Sequence, residues 1–299
     1  MKTFLALTKR NIKLFFKDKG MFFVSLITPV VLLVLYATFL ASVYRDSVTS
    51  ALPDGLNVPD KLINGIVGGE LFSSLLAVSC VTVAFCSNLL MVNDKVSGAR
   101  KDMLITPVRK STVAVSYFVA SLCSTLIVSF VACAACFIYI AATGWYFSFG
   151  DVMLIILDVI LLTAFGTAIS SVINCFLSSQ GQASAVGTIV SAGYGFICGA
   201  YMPISSFASG LQKTLMFLPG TYGTALIRSH SLNGAMTELA STPGVPAEAV
   251  DGLKSGLDCT LDFFGHTVSI GAMYGVLIGA TAILIGAYIL INVLRKNRA

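Results

Sequence analysis

Charge is what this sequence has least of. Only 11% of its 299 residues are Asp, Glu, Lys or Arg, while 56% are hydrophobic. A soluble domain carries about 25% charged residues, so this chain cannot clothe a water-exposed surface and reads as an integral membrane protein. Histidine is nearly absent. His230 and His266 are the only two, and both fall in a segment expected outside the membrane. No His-Glu-x-x-His sequence occurs, which leaves a metal centre without a recognisable ligand set. No Gly-x-x-x-x-Gly-Lys-Ser/Thr sequence occurs either, so the chain has no phosphate-binding loop and is not expected to be an enzyme. Cysteine is present but not arranged for disulfides. Cys80, Cys86, Cys123, Cys133, Cys136, Cys175 and Cys198 sit inside apolar runs and read as small apolar filler. Cys133 and Cys136 have redox-pair spacing, but in mid-span. Only Cys259 lies in a polar segment, where an impermeant thiol reagent is expected to reach it from outside. Charge is also nearly missing from within the apolar runs, with Asp158 the main exception. An intramembrane carboxylate is a candidate functional group; its plainer role is to bond a neighbouring helix. Asn88 and Asn174 read as packing polar groups.

What is present are long apolar runs. A helix needs ~20 mostly apolar residues to cross a bilayer, and six segments qualify: 21–43, 68–92, 112–142, 152–177, 183–202 and 267–293. The expected fold is therefore all-α, one transmembrane domain over 1–299 with six spans. The first run is span-length and lacks a clean cleavage site, so it reads as a retained helix rather than a signal peptide. Of the 19 Lys and Arg residues, 14 lie in residues 1–20, the 93–111 loop and the tail (Arg295, Lys296, Arg298). Arg45, Lys61, Lys213, Arg228 and Lys254 lie on the opposite side, which also holds Glu238, Glu248, Asp251, Asp258 and Asp262. The positive-inside rule then places both termini in the cytoplasm of a plasma (inner) membrane protein.

Three regions stand apart from plain spans. On a helical wheel, residues 1–20 set Phe4, Leu5, Ile12, Phe15 and Phe16 against Lys2, Lys9, Arg10, Lys13 and Lys17, the pattern of an amphipathic helix lying on the membrane surface and touching its lipids. The 93–111 loop is short and mostly basic, and its Gly98 and Leu104-Ile105-Thr106-Pro107 suggest a shaped surface that a soluble partner grips. Residues 203–266 form the longest outside segment. Met202-Pro203-Ile204 and Leu218-Pro219-Gly220-Thr221-Tyr222 bracket an apolar stretch, read as a short re-entrant helix between spans five and six, broken at Pro219-Gly220. The part at 233–258 reads as exposed and mobile. Gly187, Ser191, Gly195 and Gly199 form one row of small residues, and Gly271, Gly275 and Gly279 another; such rows promote close helix packing, within one chain or between two.

Taken together, these parts resemble the type-2 ABC transporter permeases, membrane subunits of bacterial ATP-driven exporters, over nearly the full length. The resemblance rests on the basic amphipathic start, six spans, a loop carrying Asp94, Gly98 and Leu104-Ile105-Thr106-Pro107, and the segment from Pro203 through Pro219-Gly220-Thr221-Tyr222, followed by Arg228. The chain departs where the family loop often begins with a glutamate-rich cluster; Asn93-Asp94-Lys95 stands there instead. The resemblance implies that Asp94, Lys95, Gly98, Arg100, Leu104, Thr106 and Pro107 couple to a separate ATP-binding cassette ATPase, which would bind ATP and Mg; no cofactor is expected in this chain. Lys9, Arg10, Lys13, Phe15, Phe16 and Lys17 would form the interfacial helix, and Pro203, Pro219, Gly220 and Tyr222 an outer gate. A second permease chain, identical or a sibling, would complete the pathway; nucleic acid is not an expected partner. The substrate would be a drug, antibiotic or lipid-like molecule moved outward in a multidrug-type branch. The rival readings are an ion-coupled secondary carrier using Asp158, and a membrane scaffold or immunity protein.

Overall fold

A computed structural model describes residues 2–52 and 58–294. The tail residues Arg295, Lys296 and Arg298 fall outside the described residues. The chain is 83% helical, which bears out the all-α class. The helices are α1 (Lys2–Lys17), α2 (Lys19–Leu35), α3 (Ala41–Ser50), α4 (Asp60–Val96), α5 (Ala99–Ile105), α6 (Lys110–Thr143), α7 (Phe149–Phe176), α8 (Gln180–Ile197), α9 (Ser209–Leu215), α10 (Pro219–Ser241), α11 (Ala247–Gly256) and α12 (Ile270–Leu294). A π-helical turn, Tyr36–Leu40, joins α2 to α3. A hairpin pairs β1 (Asp262–Phe263) with β2 (His266–Thr267).

Among the described residues, five helices are long and apolar enough to cross a membrane: Lys19–Ser50, Asp60–Val96, Lys110–Thr143, Phe149–Phe176 and Ile270–Leu294. The fifth expected span, 183–202, becomes α8. Its opening Gln180-Gly181-Gln182 and its several glycines and serines leave it below the apolar level of the other five.

α4 is the axis of the bundle. It packs against α2, α6, α7, α8 and α10, and 89% of its most apolar stretch is buried. A helix apolar all round belongs inside a bundle, and small residues let its neighbours come close. A Cβ on Gly69 would stand 2.8 Å from the Ser231 carbonyl oxygen of α10, and one on Gly166 of α7 would stand 2.9 Å from the Val81 Cα of α4. The closest helix approaches therefore fall at Gly69 and Gly166, not on the rows singled out in the sequence. Gly187, Gly271, Gly275 and Gly279 face open space within the chain; Gly195 meets the Tyr201 ring, and Gly199 (φ +76°) ends α8. In lipid, backbones approach this closely only where side chains are absent.

Residues 203–266 are not a loose loop. Pro219 starts a helix rather than breaking one: it is the first residue of α10, where its missing N–H would be unbonded anyway. α10 packs on α4, α7 and α12. Ala235, Met236, Leu239, Val250 and Leu253 are all buried, so the 233–258 stretch is folded. Its Ala- and Glu-rich composition is that of amphipathic helices, which composition alone does not separate from a loop.

Candidate functional site: a coupling face and a polar outer cap

One end of the bundle carries the residues expected to couple to an ATPase. α4 runs past the membrane-span limit expected from hydropathy and brings Asp94 and Lys95 inside the bundle. Asp94 is buried and accepts both Arg10 nitrogens, at 2.6 and 3.2 Å, and the Tyr117 hydroxyl at 2.5 Å. A bidentate guanidinium–carboxylate pair is among the stronger contacts available, and hydrogen bonding to Asp94 raises the Arg10 pKa. It clamps α1 to α4, with Tyr117 adding α6. Lys95 turns the other way. Its Nζ donates to the carbonyls of Asn174, Cys175 and Leu177, at 3.3, 2.8 and 2.6 Å. These are the open carbonyls at the end of α7, where a cation is favoured by the helix dipole. Both residues were expected on the partner-facing surface; both hold the bundle instead.

Gly98 follows with φ +85°, and a Cβ there would meet nothing within 4 Å. Backbone conformation, not crowding, demands glycine. The turn launches α5, none of whose seven residues is buried. Arg100 donates to the Asn292 side chain at 2.8 Å, which ties α5 to α12. Thr106 Oγ1 donates to the Met103 carbonyl at 2.6 Å and closes the last turn, and Pro107 prevents the helix from continuing. Leu104 is half-buried, whereas Ile105 is 83% exposed. Ile105 was not singled out in the sequence; an isoleucine inside a motif is visible as exposed only once the helix face is known.

α1 follows the amphipathic expectation with its face rotated. Thr8, Asn11 and Phe15 are buried, against α6 and α4. Leu5 is 58% and Phe16 37% exposed, beside the exposed Lys9, Lys13 and Lys17. Replacing Arg10 with glutamine is expected to loosen α1 by on the order of 1 kcal/mol, since the pair is partly exposed. Faster proteolysis within residues 2–17, with the spans intact, is the measurement that checks it.

The opposite end holds a buried ionic knot. Arg228 of α10 is 1% exposed. It pairs with Glu70 of α4 at 2.7 Å and Asp258 at 3.5 Å, and donates to Ser74 Oγ at 3.1 Å and the Gly199 carbonyl at 2.9 Å. Asp258 also accepts the backbone N–H groups of Ile204 and Ser205. Burial pushes its carboxyl above the ordinary range, and the Arg228 guanidinium pulls it back. The knot thus fixes the turn at Pro203-Ile204 to α4 and α10. Near it, Tyr222 OH donates to the Met216 carbonyl at 2.6 Å and Thr221 to the Leu215 carbonyl at 2.9 Å, fastening the start of α10 to the end of α9. Gly220 lies against Tyr194, whose hydroxyl would stand 2.7 Å from a Cβ there. The four residues read as an outer gate therefore sit in one folded cap. Glu70 went unnoticed as a lone carboxylate in an apolar run; Arg228 was counted as an outside charge and as the residue after the Pro219–Tyr222 segment, not as the centre of a buried cluster.

A second polar junction lies alongside. Asp158 of α7 accepts the Tyr274 hydroxyl of α12 at 2.6 Å and contacts Nδ1 of His230 of α10 at 2.6 Å. His230 is buried in a helix, not in an outside loop. Asp158 thus joins three helices. Cys259 is 7% exposed, with its thiol pushed by burial up to about 12, so the labelling expected from its polar neighbourhood does not follow. The residues around it are polar, but its own side chain points into the core.

The α5 end of the bundle thus presents a short helix without buried residues, set at the end of the central helix. A family model described as ABC-2 type transporter matches residues 2–230. The chain belongs to the ABC-2 type transporter family. No curated protein gave a significant match. The ABC-2 match begins at α1, includes α5, and ends within α10. Together with the five long apolar helices, it makes the chain a multi-pass membrane subunit of an ABC transport system, a family that works with an ABC ATPase.

Proposed function

We propose that this ABC-2 subunit is the permease of an exporter, moving a drug-like, antibiotic or lipid-like molecule outward with ATP hydrolysed on a separate subunit. The observation that carries the reading is α5: a helix with no buried residue, whose own Arg100 and whose neighbours Asp94 and Lys95 bond to the rest of the bundle. Asp94 reaches α1 and α6, Lys95 reaches α7, and Arg100 reaches α12. A push on α5 from a closing ATPase pair is therefore delivered to four helices at once. The knot at Arg228 and the Pro219–Tyr222 turn would hold the outer cap as one body that opens when those helices tilt. The uncovered glycine row of α12 (Gly271, Gly275, Gly279), with Gly187 of α8, supports a second permease chain, identical or sibling, against which close packing would occur. A cation carrier built on Asp158 is less well supported, because both its oxygens are already engaged by Tyr274 and His230.

Purification of tagged protein from native membranes in gentle detergent tests the proposal. An ATP-binding cassette subunit in stoichiometric amount is expected; a chain that comes out alone and without ATPase activity would overturn it.

Placing the 203–266 segment outside the membrane carries its own prediction. A cysteine introduced at the exposed Glu248 (E248C) is expected to react with an impermeant maleimide on intact cells, while Cys259 stays unlabelled until the protein is unfolded. Labelling of E248C only after the membrane is breached would reverse the topology.

A further inference from the structure

A groove of about 420 Å3 lies between α2, α4 and α6. Leu71, Phe72, Leu75, Val128, Cys136 and Ile140 form a buried floor. Val30, Leu33, Ile127 and Val131, all 47% exposed or more, form the lips. No charged residue lines it. Along α2 it runs from Phe22 to Tyr36, about 21 Å at 1.5 Å per residue, more than the ~15 Å of one bilayer leaflet. The lips belong to two membrane-spanning helices, α2 and α6, so the groove opens toward the acyl region. Pro29, inside α2 and lining the groove, cannot donate a backbone hydrogen bond there.

What distinguishes this groove from an ordinary lipid-facing crevice is its α1 end. Phe16 lines it. At ~100° per residue, Lys9 falls about 20° and Lys13 about 60° from Phe16 on α1, and both lysines are exposed. Lys17 follows directly, and Lys19 opens α2. An apolar slot at least as long as one leaflet, whose α1 end lies on the side of α1 that carries the exposed Lys9 and Lys13, matches an amphiphile with an acyl chain and an anionic head.

We propose that this groove is a site for one anionic membrane phospholipid, its acyl chain lying between α2, α4 and α6 and its phosphate held by the lysines of α1 and the start of α2. Bound there, the lipid would fill the space between the first span and the central helix and fasten α1 to the surface. The proposal does not depend on the substrate or on the export direction.

The test uses the full chain with its native partners in nanodiscs of phosphatidylcholine, doped with phosphatidylglycerol or phosphatidylcholine carrying a diazirine in the acyl chain. Photolabelled residues are mapped by mass spectrometry. The site predicts labelling concentrated in residues 26–33, 68–75 and 127–140, with a preference of roughly tenfold for the anionic probe. Ala132→Trp, which fills the groove, should remove that labelling. The double variant Lys9→Gln, Lys13→Gln alters only exposed positions; it should keep the labelling and lose the head-group preference. Labelling spread evenly over all lipid-facing helices, or equal for both probes, would overturn the proposal. Exclusion of both probes by a neighbouring helix of the assembly would do the same, as would displacement of the bound probe by an uncharged hydrophobic drug at equal concentration.

Discussion

Replacing Arg228 with methionine is expected to cost about 3–5 kcal/mol and to abolish transport. Removing one member of a buried ion cluster leaves the others charged and unpaired in a low-dielectric interior, and that is where the cost arises. Glu70 and Asp258 are 1% and 4% exposed; neither can turn to water. The loss should be local in origin, since the knot fastens the Pro203-Ile204 turn, α10 and α4. Limited proteolysis should therefore cut first between 199 and 261, at temperatures where α6 and α7 remain protected. Adding Glu70→Gln to Arg228→Met should restore part of the stability, because one orphaned charge is gone. If Arg228→Met melts with the parent, or Glu70→Gln worsens it further, the knot is not what holds the cap.

Substituting valine for Gly98 has its expected effect on coupling rather than on folding. A β-branched residue at φ +85° costs about 1–3 kcal/mol in backbone strain. The strain is relieved by turning α5 away from its direction; no residue of α5 is buried, so only the Arg100–Asn292 bond and the half-buried Met103 and Leu104 resist the turn. Basal ATP hydrolysis and membrane insertion should survive, while transport falls roughly tenfold or more. Gly98→Asn separates conformation from bulk, since asparagine tolerates the left-handed region; it should retain most of the transport. Pro107→Ala should resemble the valine variant more weakly, by letting the end of α5 fray. Equal transport in Gly98→Val and Gly98→Asn would remove the conformational argument.

The sequence displayed the parts of this protein that depend on bulk physics. Apolar runs located five of the six expected spans because desolvating ~20 residues is a large effect that neighbours cannot mask. The α1 amphipathic pattern and the α5 boundaries, a glycine before and a proline after, were legible because they are local. What remained hidden was tertiary. Asp94 and Lys95 looked like surface charges because a loop was expected where α4 continues. Glu70, Arg228 and Asp258 lie 158 and 30 residues apart along the chain, and only the packing of α10 on α4 shows that they neutralise one another. Gly69 and Gly166, where α4 meets the backbones of α10 and α7, were not in repeating rows, because a close approach needs a gap at one crossing point rather than along a stripe. His230 was misplaced because α10 is buried yet mixed in composition, which leaves no long apolar run to detect; Cys259 was misplaced because it follows α11 in a polar turn while its own side chain is buried.

The central claim is that α5 is the surface gripped by the ATPase. A photo-crosslinking amino acid placed at Ile105, the most exposed apolar residue of α5 at 83%, tests it most directly in native membranes. The account predicts a covalent adduct with an ATP-binding cassette subunit, and none from the same probe at Leu211, an exposed residue of α9. No adduct at 105, or one formed only with lipid or with an unrelated protein, would contradict it.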